Sequence, residues 1–211
     1  YTNPLAAVDF FKKTGVDALA ISYGTMHGAS KGKNVKLRKE IAIAIRECLN
    51  HEGIFGALVS HGSSTVPKYI VDEINALGGN ITNAYGISIQ ELQAVIPCGI
   101  NKINVDTDIR LAVTRNMKEL FAKYPEKRTS ASIGPIYEIL EAKKEQFDPR
   151  VFLPPIMNTV MYGVVPDDDV AAIVECIEKG VKEVVGTLIV QFGSDGKAPL
   201  VEQVSLDEMA E

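Results

Sequence analysis

The chain has 211 residues, 46% of them hydrophobic, which is enough to bury a sizeable core. Its 22 basic and 27 acidic residues give a net charge of −5, which excludes a general basic field for nucleic acid or an anionic membrane. No apolar run is long enough to cross a membrane. The chain has three cysteines, Cys48, Cys98 and Cys176, whose spacing matches no metal site. They predict a reducing, cytoplasmic location, and we expect them to have no catalytic role.

Helical and strand-like segments alternate through the first two thirds of the chain. Asn3, Pro4 and Gly15 supply the cap, first turn and end of a first helix. A short apolar run at 17–22 is typical of a strand buried on both faces. Such consecutive βα units make a parallel sheet, doubly wound or closed into a barrel, with ligands beyond the carboxyl ends of its strands. The predicted helices are 5–13, 36–49, 67–77, 88–95 and 108–122, and the predicted strands are 17–22, 55–60 and 100–105.

The pattern changes after residue 122. Six of the ten prolines lie between positions 125 and 166, which indicates a loop-and-helix extension. Aspartates at its start predict a capped helix over 167–184, and a glycine-rich turn is expected at 193–197.

A histidine and a glycine, His27 and Gly28, follow the first predicted strand. Neutral imidazole is a good zinc ligand, and a glycine beside it lets backbone approach whatever the metal holds. Lys31, four residues after the histidine, suits a phosphate group. Taken alone, the segment is better explained as an ordinary loop histidine with a solvated lysine than as a metal site. The metal-site interpretation gains weight because the second strand end repeats the His-Gly pair.

The second strand end carries His61 and Gly62, followed by Ser63 and Ser64 before a helix. We predict that Ser64 or Thr65 caps that helix, so that free amides at its N-terminus form an anion site near the histidine. The alternative is an ordinary serine cap with a histidine packed at a barrel rim.

The third strand end lies within residues 102–108. Asn104 and Asp106 are expected on one face of the strand, where their oxygens receive substrate hydroxyls. Thr107 and its amide suit a phosphate, and Asp108 is expected to cap the helix that follows. A purely structural role for this whole segment stays open.

Together these strand ends resemble class II, metal-dependent fructose-bisphosphate aldolases. The likeness spans nearly the whole chain. The segments that carry it are 24–28, 61–64 and 102–108, with further similarity in 85–88, 91–93, 147–150 and 204–210.

The resemblance implies a (β/α)8 TIM barrel, an α/β fold. This chain would supply about the last three βα units as a carboxy-terminal portion of the barrel, residues 1–122. A helical and loop extension, residues 123–211, would pack on the same barrel.

The resemblance also implies an activity: reversible cleavage of fructose 1,6-bisphosphate to dihydroxyacetone phosphate and glyceraldehyde 3-phosphate in glycolysis and gluconeogenesis. Zinc or another divalent metal would polarise the ketone, with a monovalent cation as activator. By motif, His27 and His61 match two of three zinc-binding histidines. Arg150 matches an arginine that in some members reaches a neighbouring subunit's site, which predicts a homodimer or larger assembly. The other matching substrate-binding positions are Gly28, Lys31, Gly62, Ser63, Ser64, Asn104, Val105, Asp106 and Thr107.

Some of the family's functional residues match no position of this sequence. They are the third histidine ligand, the aspartate beside it and a glutamate with acid or base duties. We therefore expect these groups upstream of Tyr1, in an N-terminal half of the barrel, and expect the isolated chain to be inactive. His51, at the end of a predicted helix, is expected to be a helix-terminal or solvated histidine rather than the missing ligand.

Three alternatives stay open. The substrate could be tagatose 1,6-bisphosphate or another ketose phosphate, because the three motifs bind the shared dihydroxyacetone-phosphate half. The chain could be a noncatalytic phosphate-binding or assembly fragment. An unrelated metal-dependent hydrolase on the same fold is allowed by the histidines alone, although the phosphate-binding segments argue against it.

Overall fold

The computed structural model describes residues 1–26 and 35–202. Short 3-10 turns at Pro125–Thr129, Pro154–Ile156 and Ala198–Leu200 connect parts of the second half. The strands in these ranges are β1 (Ala18–Ile21), β2 (Ala57–Ser60) and β3 (Ile100–Ile103). The α-helices are α1 (Pro4–Thr14), α2 (Lys39–His51), α3 (Lys68–Ala76), α4 (Ile89–Val95), α5 (Thr107–Lys123), α6 (Gly134–Ala142), α7 (Pro149–Phe152), α8 (Met157–Tyr162) and α9 (Asp168–Gln191).

The three strands form one parallel sheet in the order β1-β2-β3. Leu19 pairs with Leu58 and Ile21 with Ser60, so the carboxyl ends of β1 and β2 lie at the same edge. Parallel strands joined through helices are the repeating unit of α/β barrels. The predicted α/β fold, with three consecutive βα units, is confirmed.

The first strand differs from its prediction in burial. Ala18 and Ala20 are exposed and Leu19 is half-buried, whereas Ile21 is buried. The expectation of a strand buried on both faces was wrong for β1, because helices of the described chain cover one face and β1 is an edge strand. β2, between its two neighbours, is the buried strand, with Leu58 and Ser60 at 0% exposure.

The first helix begins and ends as its sequence predicts. Asn3 Oδ1 accepts hydrogen bonds from Leu5 N at 2.9 Å and Ala6 N at 3.2 Å, and Pro4 occupies the first turn. Gly15 ends the helix with φ at +66°, in the left-handed region that glycine adopts without strain. These local signals fix the entry into β1.

One hydrophobic core lies where α1, α2 and α4 pack on the sheet. Large buried side chains fill it, each at 0–3% exposure: Tyr23, Ile45, Leu49, Leu58, Leu92 and Ile100. A second core joins α5 to α6, α7 and α9. Because α5 leaves the end of β3, its packing also sets the position of the third strand end.

The long helix α9 packs along α5. Gly180 allows close contact, since a Cβ there would lie 2.8 Å from Val113 N. Asp167 Oδ1 accepts from Val170 N at 2.8 Å, which confirms the predicted aspartate cap. The helix extends to Gln191, past the predicted end at residue 184, because Gly186 does not stop it and the glycine-rich turn begins after it.

Within residues 1–26 and 35–202, no helix is both long and apolar enough to span a bilayer.

Candidate active site

The second and third strand ends meet. Asn104 N donates to Ser60 O at 2.9 Å, which continues the pairing of β2 and β3 beyond the strands. The Asn104 side-chain Nδ2 lies 3.3 Å from both ring nitrogens of His61. A neutral imidazole has one acceptor nitrogen, so the amide donates to whichever nitrogen the tautomer leaves unprotonated. The structure therefore brings together two residues that the motifs single out separately.

The sequence predicted that Ser64 caps α3, and that prediction was wrong. The Ser64 hydroxyl oxygen accepts from Asp106 N at 3.2 Å and Thr107 N at 3.0 Å, and thus caps α5 from outside that helix. The alternative predicted cap, Thr65, is also wrong, since Pro67 precedes the first residue of α3 and makes no side-chain cap. The cause is the path of the loop, which turns Ser64 toward the third strand end.

Asp108 also has a different role from the predicted one. It lies inside the first turn of α5, after the N-cap position of Asp106, and helical side chains in that turn point back toward the N-terminus. Its carboxylate, 1% exposed, accepts from Thr65 N at 3.0 Å, Thr65 Oγ1 at 2.6 Å and Val66 N at 2.9 Å. Hydrogen bonds therefore run in both directions: Ser64 of the loop accepts from the start of α5, and Asp108 of α5 accepts from the loop.

The loop between β2 and α3 contains two positive φ angles. Gly62 has φ of +64°, which glycine adopts freely. Val66 has φ of +52°, an uncommon conformation for a β-branched residue that costs of order 1–3 kcal/mol. The bond from Val66 N to Asp108 Oδ1 helps to hold this conformation. The loop is thus fixed in a shape that its local sequence does not favour.

A buried chain of hydroxyl groups supports the loop from below. The hydroxyls of Tyr23 and Ser60 are hydrogen-bonded, and Ser60 Oγ lies 2.6 Å from Ser63 Oγ. All three side chains are 0% exposed, and burial raises the pKa of the Tyr23 phenol. The motifs did not identify Tyr23, although a buried tyrosine needs a partner for its hydroxyl and this one lies two residues after the end of β1.

Gly86 lies against the loop. A Cβ at this position would be 2.1 Å from Thr65 O and 2.5 Å from Ser64 O, distances that no side chain permits. The adjacent Ile87 N donates to Ser64 O at 3.1 Å. A cavity of about 940 Å³ adjoins this contact, between residues 81–91, α3 and α9.

Glu91 fixes the chain that precedes α2. Its carboxylate accepts from Leu37 N and from Lys39 Nζ, each at 3.2 Å. The backbone hydrogen bond from Leu37, together with the lysine, lowers the pKa of this carboxyl. The similarity of residues 91–93 to the aldolases thus includes a residue that anchors the segment next to the first motif.

Charged side chains connect Arg150 to the third strand end. Arg110 pairs with Asp106 and donates from Nη1 to Asp148 Oδ2 at 2.9 Å. Arg150 Nε donates to Asp148 Oδ1 at 3.0 Å, and this interaction lowers the pKa of the Asp148 carboxyl. The side chain of Arg150 is 73% exposed, so it lies at the rim of the site.

Of the two predicted metal ligands, the structure describes only His61. His27, Gly28 and Lys31 lie outside the described residues. Within the described ranges, no three His, Cys, Asp or Glu side chains come together as a metal site, whereas catalytic zinc generally takes three protein ligands. The described part of the chain therefore does not by itself fit a zinc ion, and His61 contributes one imidazole.

The remaining histidine and two of the cysteines lie in or next to helices α2, α4 and α9. His51 is the exposed last residue of α2. Cys98 Sγ contacts Ala94 O within the α4 region at 3.3 Å. Cys176 is buried between α9 and α5, and burial raises the pKa of its thiol to about 11.

Comparisons with known proteins agree on one family. Residues 1–197 match the family model described as fructose-bisphosphate aldolase class-II. A fructose-bisphosphate aldolase of Nostoc sp. is 36% identical over 209 residues, covering 99% of this chain and 47% of that protein. A fructose-bisphosphate aldolase class 2 of Synechocystis sp. is 34% identical, with coverage of 99% and 47%. A fructose-bisphosphate aldolase of Giardia intestinalis is 34% identical, with coverage of 98% and 51%.

The chain spans about half the length of these curated relatives. A crystal structure from Coccidioides immitis, provisionally assigned as a fructose-1,6-biphosphate aldolase, aligns with a TM-score of 0.46 and 19% identity. It covers 95% of this chain and 46% of that chain.

Proposed function

This chain belongs to the class II fructose-bisphosphate aldolase family, and from that premise we propose that the whole protein is a metal-dependent aldolase. It reversibly cleaves fructose 1,6-bisphosphate to dihydroxyacetone phosphate and glyceraldehyde 3-phosphate. The observation that carries the proposal is the meeting of the second and third motifs at His61 and Asn104, within 3.3 Å, at the carboxyl ends of adjacent parallel strands. Ligands of parallel α/β folds bind at that edge.

His27 and His61 are proposed as two ligands of a divalent metal, zinc by family membership. A metal held there would polarise the ketone and stabilise the negative charge that develops on its oxygen. The Asn104 amide contributes orientation, because its contact with the His61 ring favours one plane for the imidazole.

The loop 61–64 is proposed to bind the phosphate of the dihydroxyacetone-phosphate half, with Gly28 and Lys31 as further contacts. Ser63 and Ser64 are 0% and 5% exposed, and their hydroxyls bond to Ser60 and to the start of α5. Their part in phosphate binding is therefore assigned to backbone N–H groups, which turns with a left-handed residue such as Gly62 can direct at an anion.

The third strand end is proposed to bind the substrate through the segment 104–107. Asn104, Asp106 and the backbone at Val105 are proposed to receive substrate hydroxyls, and the exposed Asp106 carboxylate also pairs with Arg110. Thr107 is 7% exposed and its N–H donates to Ser64 Oγ, so its proposed contact with the substrate is through the side-chain hydroxyl. These groups bind and orient the sugar phosphate. The proton-transfer residues are not among them.

Arg150 is proposed to bind the second phosphate, in a neighbouring subunit's site of a homodimer or larger assembly. Its exposure and its place at the rim support this role. Asp148 holds the guanidinium through several hydrogen bonds and neutralises it until an incoming phosphate competes. We further propose a cytoplasmic location, supported by three free cysteines.

The division into a barrel portion, residues 1–122, and an extension, residues 123–211, is also a proposal. The packing of α9 along α5 supports an extension that shares a core with the barrel portion. A monovalent cation as activator remains part of the proposal on family grounds alone.

The proposed function is tested with the purified whole protein in a coupled assay that detects triose phosphates released from fructose 1,6-bisphosphate. We expect cleavage that a chelator abolishes and added zinc restores. The same assay with tagatose 1,6-bisphosphate serves as the comparison of substrates. Cleavage that resists the chelator, or faster cleavage of the tagatose compound, would overturn the metal or the substrate assignment respectively.

A further inference from the structure

A cavity of about 220 Å³ lies between the end of α3, the second half of α5, and α6. A water molecule takes up about 30 Å³ of liquid, so the space admits a small polyatomic ligand. Two cationic side chains line it, Lys118 and Arg128, and one carboxylate, Glu141. The rest of its wall is mostly apolar: Leu77, Phe121, Tyr137 and Leu140.

Lys118 has a buried ammonium group. Its side chain is 3% exposed, and across residues 1–26 and 35–202 its Nζ has no hydrogen-bond partner. Glu141 Oε1 lies 4.0 Å away, which is beyond hydrogen-bond distance. Burial lowers the pKa of the amine, opposed by the nearby carboxylate. An ammonium with three donors and no acceptor is costly to bury, so an acceptor-bearing ligand would relieve that cost.

Arg128 is held in place at the same cavity. Its Nε donates to Phe121 O at 2.9 Å, and its guanidinium carbon lies 5.2 Å from the centroid of the Tyr137 ring. Among the described residues, its two terminal nitrogens make no hydrogen bond. A fixed guanidinium with unused donors beside an ammonium is an arrangement suited to phosphate-like anions.

We propose that this cavity binds a small oxyanion of the phosphate class between Lys118 and Arg128. The lining charges sum to one positive unit, because Glu141 offsets one of the two cations. Lys144 Nζ, 4.0 Å from Glu141 Oε2, further reduces the repulsion by that carboxylate. The site is separate from the candidate active site, because Lys118 lies about 17 Å along α5 from Thr107, at 1.5 Å per residue.

The test follows Lys118 by NMR in the whole protein with labelled lysine, its signal identified by its loss in Lys118→Met. Inorganic phosphate and glycerol phosphate are titrated separately, which distinguishes a free anion from a phosphate monoester. The Lys118 signal shifts and saturates with one or both ligands. Lys118→Met lowers the affinity of the cavity, measured by calorimetry, roughly tenfold or more, as expected for a charged hydrogen bond.

Glu141→Gln provides an independent arm, measured by calorimetry, that does not depend on Lys118→Met folding. Removing the opposing carboxylate raises the affinity of the cavity for the anion roughly fivefold. Lys182→Met is the control, an exposed lysine of α9 that pairs with Glu178 outside the cavity, and it changes that affinity less than twofold. A Lys118 signal that responds to neither ligand would overturn the proposal, as would an equal loss of affinity in Lys118→Met and Lys182→Met.

Discussion

Asp108→Asn tests whether the hydrogen bonds from Thr65 and Val66 to the Asp108 carboxylate hold the loop after β2. The carboxylate accepts three hydrogen bonds, from Thr65 N, Thr65 Oγ1 and Val66 N. Asparagine retains one acceptor oxygen, so its NH2 group must face at least one of these donors. The variant therefore loses at least one bond to a charged acceptor and weakens the others.

The expected magnitude follows from those contacts. A hydrogen bond to a charged group contributes about 1.5–3 kcal/mol, and a neutral acceptor roughly halves the remaining two, so unfolding becomes easier by about 3–6 kcal/mol. For a protein about twice as long as this chain, as the curated relatives are, each kcal/mol shifts the melting temperature by roughly 1–2 °C. We expect a decrease of about 3–12 °C in the whole protein, together with lower aldolase kcat/KM because the loop loses its fixed shape.

Thermal and urea unfolding measure the change. Asp72→Asn is the control, because Asp72 pairs with Lys68 on the exposed surface of α3 and should change stability by less than about 0.5 kcal/mol. Equal melting temperatures for Asp108→Asn and Asp72→Asn would refute the reasoning that the buried carboxylate fixes the loop.

Two further variants follow from the same contacts. Gly86→Ala should lower the melting temperature and the aldolase activity, because its Cβ would lie 2.1 Å from Thr65 O. Gly53→Ala is the control, because a Cβ there has no atom within 4 Å and adds only the strain of a positive φ. Equal losses in the two variants would contradict the close contact at Gly86. Tyr23→Phe removes the buried bond to Ser60 and should cost about 1 kcal/mol at neutral pH. The pKa of this phenol is higher in the folded state, so the parent protein should lose stability as the pH rises above the pKa of the unfolded state, near 10. Tyr23→Phe should reduce that loss. Identical alkaline unfolding curves for parent and variant would contradict this prediction.

The sequence predicted the elements well where the signal is local. Alternating apolar segments located β2 and β3 to within three residues, and Asn3 and Asp167 cap helices as expected. The helix caps at the site were wrong for a physical reason. Ser64 and Asp108 accept from donors 42 or 43 positions away in the chain, and no pattern of neighbouring residues predicts such a pairing.

The motifs predicted individual residues of the candidate site, but they did not predict the contacts between those residues. His61 and Asn104 were identified separately, and their contact depends on the parallel register of β2 and β3. Tyr23 and the cavity at Lys118 were missed, because a hydroxyl chain and a buried amine become visible only once helices and strands pack. A lysine on an amphipathic helix is usually solvated, and its sequence gives no sign of burial.

The central claim, that His61 is a metal ligand and His51 is not, is tested most directly by the zinc content of the whole protein. Metal analysis after dialysis against zinc should find stoichiometric zinc in the parent protein and in His51→Ala. His61→Ala and His27→Ala should each lose most of that zinc while retaining the parent's far-UV circular dichroism. Stoichiometric zinc in folded His61→Ala, or an equal loss in His51→Ala, would contradict the assignment of the ligands.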